Sequence, residues 1–233
     1  MNYRIILRDT LRIFQKSKPI WLLGAISFVS ELFVYAVPSA IRKNPTFGCS
    51  YFVFFGFLYV AYVSKCGLIY STNQILSEQS PTFSDAWNFS KTKLKTIGGL
   101  YFLSIPLVMF AILIVVLFAW SGLDPVLARF VNLVVTSFLT SLFTLSICSI
   151  VIHKLDSAIA LWTGFLIVFN NFFPVVMLNG IFLFIEVGLS LLTGNVFLSI
   201  FLYIPLTVTM TVVYRTLITK GSYPSLSNTQ FTA

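Results

Sequence analysis

A chain of 233 residues with 58% hydrophobic and only 9% charged side chains, and a mean hydropathy of +0.93, cannot surround one water-soluble core with a polar surface. Soluble domains carry roughly a quarter charged residues. The formal charge of +8 comes with no basic soluble face and no aromatic-stacking module, which excludes nucleic acid as a partner. What remains is a polytopic transmembrane helical bundle, all-α, of about six spans.

The chain opens with an amphipathic helix over residues 1–18. Tyr3, Ile6, Leu7, Thr10, Leu11 and Phe14 recur at helical spacing, and Arg4, Arg8 and Arg12 form a stripe at i, i+4 on another face. Such a helix lies under a leaflet, where anionic headgroups attract it by about 1 kcal/mol per basic residue. A docking surface for an acidic cytoplasmic partner is the other reading of the same stripe.

Six apolar runs follow: Ile20–Val37, Phe47–Tyr70, Ile97–Trp120, Val131–Ile152, Pro174–Thr193 and Val196–Tyr214. Each approaches the roughly 20 residues that cross ~30 Å of hydrocarbon at a rise of 1.5 Å. Turn and charge signals separate them at Pro38 to Pro45, Ser121 to Pro125 and Thr193-Gly194-Asn195. Pro106 and Pro205 fall inside runs and predict kinks. The spans fill residues 19–215, and residues 216–233 form a cytoplasmic tail. The first run is no cleaved signal peptide, since its basic leader is long and helical and no small-x-small site follows.

Two segments between runs read as cytoplasmic-side interfacial helices. Residues 84–96 start at a candidate N-cap, Ser84, with Asp85 close behind, and carry Lys91, Lys93 and Lys95. Residues 157–172 are more apolar. Their openings, Ser84-Asp85-Ala86 and Asp156-Ser157-Ala158, suggest a span–interfacial helix–span unit used twice. Trp21, Trp87, Trp120 and Trp162 all fall where an aromatic belt places them.

Charge asymmetry orients the bundle. Eleven basic residues fall on the side of the N-terminus (Arg4, Arg8, Arg12, Lys16, Lys18, Lys91, Lys93, Lys95, Lys154, Arg215, Lys220) and three, Arg42, Lys43 and Arg129, on the other. The positive-inside bias puts both termini in the cytoplasm of a cell-membrane protein.

Three ionisable residues lie within the runs. Lys65 is five residues from the cytoplasmic end, about 7.5 Å at the helical rise, within snorkelling distance. Glu31 and Glu186 lie at similar depth near the outer ends and are too short to reach the interface easily. Each is expected to be protonated, hydrogen-bonded or paired with a cation, with Arg129 nearest by depth. A structural polar contact and a shared cation or proton site are the two readings of this trio.

Chemistry is otherwise sparse. His153 stands alone beside Lys154, and Cys49, Cys66 and Cys148 lack metal-ligand spacing. There is no phosphate-binding glycine loop, nucleophile elbow or two-histidine zinc motif. The sequence therefore predicts no catalytic, metal or cofactor site.

The basic opening helix, Phe83-Ser84-Asp85-Ala86-Trp87 before the third run, and Ile152-His153-Lys154-Leu155-Asp156-Ser157-Ala158 before the second interfacial helix form a recognisable layout. It resembles the six-helix membrane domain that precedes the catalytic domain of some bacterial glycerophosphodiester phosphodiesterases, and its stand-alone relatives. The catalytic barrel has no counterpart here. The resemblance implies a membrane module without hydrolase activity.

Two functions stand as expectations. One is a non-enzymatic scaffold or accessory subunit packing with lipids, other membrane proteins or further copies of itself. The other is a small transporter or permease with a polar site near Glu31 and Glu186.

Overall fold

A computed structural model describes residues 3–43, 49–120, 124–193 and 203–219. Those residues form eight helices and no strand: α1 (Tyr3–Lys16), α2 (Lys18–Lys43), α3 (Cys49–Leu76), α4 (Phe83–Trp120), α5 (Pro125–His153), α6 (Ser157–Asn170), α7 (Phe172–Thr193) and α8 (Tyr203–Thr219).

Helices α3, α5 and α8 touch one another pairwise and make the centre of the bundle. Their sequences suit this placement, because the enclosed stretches carry small and hydroxyl-bearing residues such as Ser64, Ser146, Ser149, Thr207 and Thr211. Residues 63 to 69 of α3 are buried without a break, as are 144 to 151 of α5 and 206 to 214 of α8. Small side chains allow the close approach that membrane helices use to associate. Around this centre, α2 packs on α3, α4 on α3 and α5, and α6 and α7 on α5. Helix α1 packs on α8 and α3.

Glycine matters at two contacts. A Cβ on Gly164 of α6 would stand 3.0 Å from the Leu142 carbonyl of α5 and press on Ser146. A Cβ on Gly99 of α4 would stand 2.6 Å from the Ser157 hydroxyl, which donates to the Thr96 carbonyl at 2.6 Å. These contacts fix α6 against both α5 and α4.

The turns at the α1 end of the bundle are closed by specific groups. After α3, Glu78 adopts a left-handed conformation (φ 61°), its N–H donating to the Ile75 carbonyl while that of Gln79 donates to Gln74. This is the Schellman arrangement, here without its usual glycine. Lys154 repeats the left-handed turn after α5 (φ 56°). Arg215 of α8 then donates to the Asn73 carbonyl at 2.9 Å, tying α8 to the last turn of α3.

The expected cap of the first interfacial segment is two residues too late. Thr82, not Ser84, accepts the Asp85 N–H at 3.1 Å and donates to the Asp85 carboxylate at 2.6 Å. Thr82 thus fills the N-cap position, one residue before the helix, and its hydroxyl also holds the Asp85 carboxylate at the third helical position. That segment is also no separate helix. It runs into the third apolar run as one helix of 38 residues, about 57 Å long, with Pro106 inside it. Nothing between Thr96 and Leu100 supplies a turn, and packing on α6 outweighs the cost of two glycines. The second segment does stand apart, with α6 meeting α7 at 96°. The paired openings thus lead into one continuous helix in one case and a bent pair in the other. Pro205 lies in the first turn of α8, where its missing N–H costs little.

Among the described residues, Phe83–Phe118 and Leu127–His153 are long and apolar enough to cross a membrane, and the bent α6–α7 pair makes a third if it is one broken span. Six apolar runs were expected. The side chains of the runs expected at Ile20–Val37, Phe47–Tyr70, Pro174–Thr193 and Val196–Tyr214 lie partly outside the described residues.

The packing predicts that Gly164→Val lowers thermal stability in detergent by about 1–3 kcal/mol, because overpacking pushes α6 off α5. Gly98→Ala, where a Cβ meets nothing within 4 Å, is expected to be neutral or stabilising by up to about 1 kcal/mol. Melting curves of the two variants separate the cases.

Candidate functional site

The amphipathic α1 has three faces rather than two. Ile6, Thr10 and Ile13 are buried against the bundle. Tyr3, Leu7 and Leu11 remain 52%, 61% and 53% exposed on the adjoining face. Arg4, Arg8 and Arg12 lie beyond them, also exposed. The order suits a helix clamped to protein on one side, with apolar side chains for acyl chains and cations for headgroups on the others. Arg8 contacts its neighbour Asp9 at 3.3 Å, an exposed pair of little energetic weight. Trp21 locks the junction with α2: its indole N–H donates to the Phe14 carbonyl at 3.0 Å and its ring lies 5.3 Å from that of Phe14.

The basic residues of α4 divide. Lys91 and Lys95 are exposed, with the Lys91 ammonium 5.9 Å from the Trp87 ring centre. Lys93 is half-buried, 5.5 Å from that of Phe89. Two of the three are therefore available to headgroups or a partner.

Lys65 departs from its expected role. It is only 8% exposed, on the fully enclosed stretch of α3, within electrostatic reach of the Cys148 thiol on α5. A snorkelling path along lipid does not exist for a helix enclosed on all sides. Cys66 and Cys148 are buried free thiols, and the Cys148 sulfur lies 3.8 Å from the Thr211 hydroxyl of α8.

Hydroxyl groups are abundant in this core, yet most of those bonded turn inward on their own helices. Ser64 donates to the Val60 carbonyl, Ser149 to Leu145 and Thr211 to Thr207, at 2.8, 3.0 and 2.8 Å. A side chain bonded four residues back along its own helix is not offered to a solute.

Glu31 and Glu186 occupy helical positions in α2 and α7, and their side chains lie outside the described residues, as does that of Cys49. Arg129, proposed to lie nearest them, is exposed on the first turns of α5 and makes no ion pair among the described residues. His153 is half-buried, its ring 5.8 Å from that of Tyr214. Among the described residues no group of three His, Cys, Asp or Glu side chains could hold a metal ion.

A buried polar contact between α5 and α7 escaped the sequence reading. Asn179 of α7 is fully buried and donates to the Ser137 carbonyl at 2.9 Å and the Ser141 hydroxyl at 3.0 Å on α5. Its own carbonyl oxygen and the Ser137 hydroxyl have no partner among the described residues. A search for ionisable residues passes over asparagine. A search for any residue with two strong polar groups inside an apolar run would have found it.

No known protein family, characterised protein or solved structure matches the chain. The likeness to the diesterase-associated membrane domain rests on the quoted residues alone.

Replacing Asn179 with Leu should destabilise the detergent-solubilised protein by about 1 kcal/mol, within the range measured for hydrogen bonds between membrane helices. Ser141→Ala should remove part of the same energy, and the double variant should be less than additive.

Proposed function

We propose that this chain is a non-enzymatic membrane module, a scaffold or accessory subunit that packs beside lipids and other membrane proteins. The observation that carries the reading is the central α3–α5–α8 core. Its bonded hydroxyls are largely committed to their own helices, and the described grooves lie where α3 or α5 meets an outer helix rather than among α3, α5 and α8 themselves. Much of the hydrophobic surface faces outward: Phe102, Met109 and Phe110 on α4, and Trp162 and Phe169 on α6, are each at least 60% exposed. Twenty-five phenylalanines serve such a surface better than they serve a water-filled path.

The proposal includes six crossings, by α2, α3, α4, α5, α7 and the segment ending in α8, with both termini cytoplasmic. Helices α2 and α3 have 26 and 28 residues, long enough for the task at 1.5 Å per residue. Alternating crossings put α1, the turns after α3 and α5, and the end of α8 on one side, the side of the basic excess. Cysteines introduced at Arg42 and Asp124 should then react with impermeant thiol reagents from outside intact cells, and cysteines at Lys93 and Lys220 should not. External labelling at Lys93 would break the arrangement.

A transporter is the competing function, favoured by the buried unpartnered oxygens of Asn179 and Ser137. The two part company over Glu31 and Glu186. A glutamine keeps one acceptor and gains donors, so a structural carboxyl tolerates the exchange. A cation site does not, and it would confer stabilisation of about 2.7 kcal/mol at a hundredfold excess of ion over Kd. Melting of wild type, Glu31→Gln and Glu186→Gln is expected to show no specific response to Na⁺, K⁺ or pH. A cation-specific shift in wild type that both variants lose would sink the scaffold reading.

A further inference from the structure

Helices α5 and α7 meet at the Asn179 contact, and both continue from it toward the end of the bundle remote from α1. The space between them is a groove of about 450 Å³. Its walls are apolar, formed by Phe130 and Leu133 of α5 with Leu183 and Phe184 of α7. At its mouth stands Arg129, four residues past Pro125 at the start of α5, about 6 Å along the helix. The other polar residues of the groove satisfy each other, Thr136 donating to the Asn132 side-chain oxygen at 3.5 Å. Arg129 is left as the cation, with no ion pair among the described residues.

One exposed guanidinium above an apolar trough is the pattern of an amphiphile with an anionic head. A free anion would find no use for the walls, and a wholly apolar ligand none for Arg129. Arginine presents a planar fork of donors that pairs with two phosphate oxygens at once. The start of α5 adds the positive end of a helix dipole at the same level. Trp120, 87% exposed at the neighbouring end of α4, marks that level as the membrane–water interface.

We propose that the α5–α7 groove seats a glycerophospholipid, its phosphate held by Arg129 and one acyl chain lying along Leu133, Leu183 and Phe184. The proposal rests on the membrane-module reading and names one lipid contact of that module.

The test uses the full chain, purified in mild detergent and stripped of lipid. Thermal stability is titrated with phosphatidylglycerol, with diacylglycerol of the same chains and with inorganic phosphate. Phosphatidylglycerol should raise the melting temperature and the other two should not. Arg129→Gln should weaken the apparent affinity for the lipid roughly tenfold, the loss of one charge-assisted contact. Arg129→Lys should restore part of it, and Leu183→Trp, which fills the trough, should abolish the response. Circular dichroism and the lipid-free melting temperature confirm that each variant is folded. An unchanged titration in Arg129→Gln, a response persisting in Leu183→Trp, or an equal shift from phosphate alone would overturn the site. A chain that stayed soluble without detergent would instead defeat the membrane reading beneath it.

Discussion

Inside the three-helix core a hydroxyl has no water to turn to, and an unmet hydrogen bond in such surroundings is expensive. The solution adopted at Ser64, Ser149 and Thr211 is local: each bonds a carbonyl one turn earlier in its own helix. That choice governs much else. A hydroxyl bonded within its own helix need not be registered against an acceptor on a neighbour, whereas the buried hydroxyls of Ser71, Ser137 and Ser146 have no partner among the described residues. α3, α5 and α8 lie side by side, with Tyr214 of α8 fully buried among them. Rings then join neighbouring helices outside the core, with Tyr101 stacked on Phe143 at 5.5 Å and lying 4.8 Å from Tyr62, and Tyr70 on Phe89 at 4.4 Å.

The helical, membrane-embedded character of the chain was legible because it depends on composition averaged over twenty residues, which single contacts cannot disturb. The amphipathic α1 was legible for a similar reason, since a three-arginine stripe survives any detail of packing. Local choices were harder. Ser84 and Thr82 are both good caps, and only the partner three residues on, Asp85, decides between them. Lys65 looked able to reach an interface because its distance along the helix is short. What the sequence does not carry is how many neighbours surround α3 at that height. Asn179 failed to register for want of a formal charge, though its two donor contacts join α5 to α7.

The two halves of the chain handle the same entry differently. Both α3 and α5 end in a left-handed residue, Glu78 or Lys154. After the first turn the backbone continues in α4 without interruption. After the second, α6 stops after 14 residues and turns through 96° into α7. Helix α6 carries no charged residue, so it is suited to apolar surroundings on every side that the protein leaves open. Its exposed Trp162 and Phe169 flank the half-buried Phe165 in a run of stacked rings, 5.8 Å between successive centres.

The continuity of α4 sets its reach. A bilayer with its headgroups measures roughly 40–45 Å, less than the length of this one helix even before tilt. One unbroken helix thus carries Lys91 and Lys95 near one end and Trp120 at the other. The close contact of Gly99 with Ser157 lies partway along, so the seat of α6 on this helix depends on a residue without a side chain.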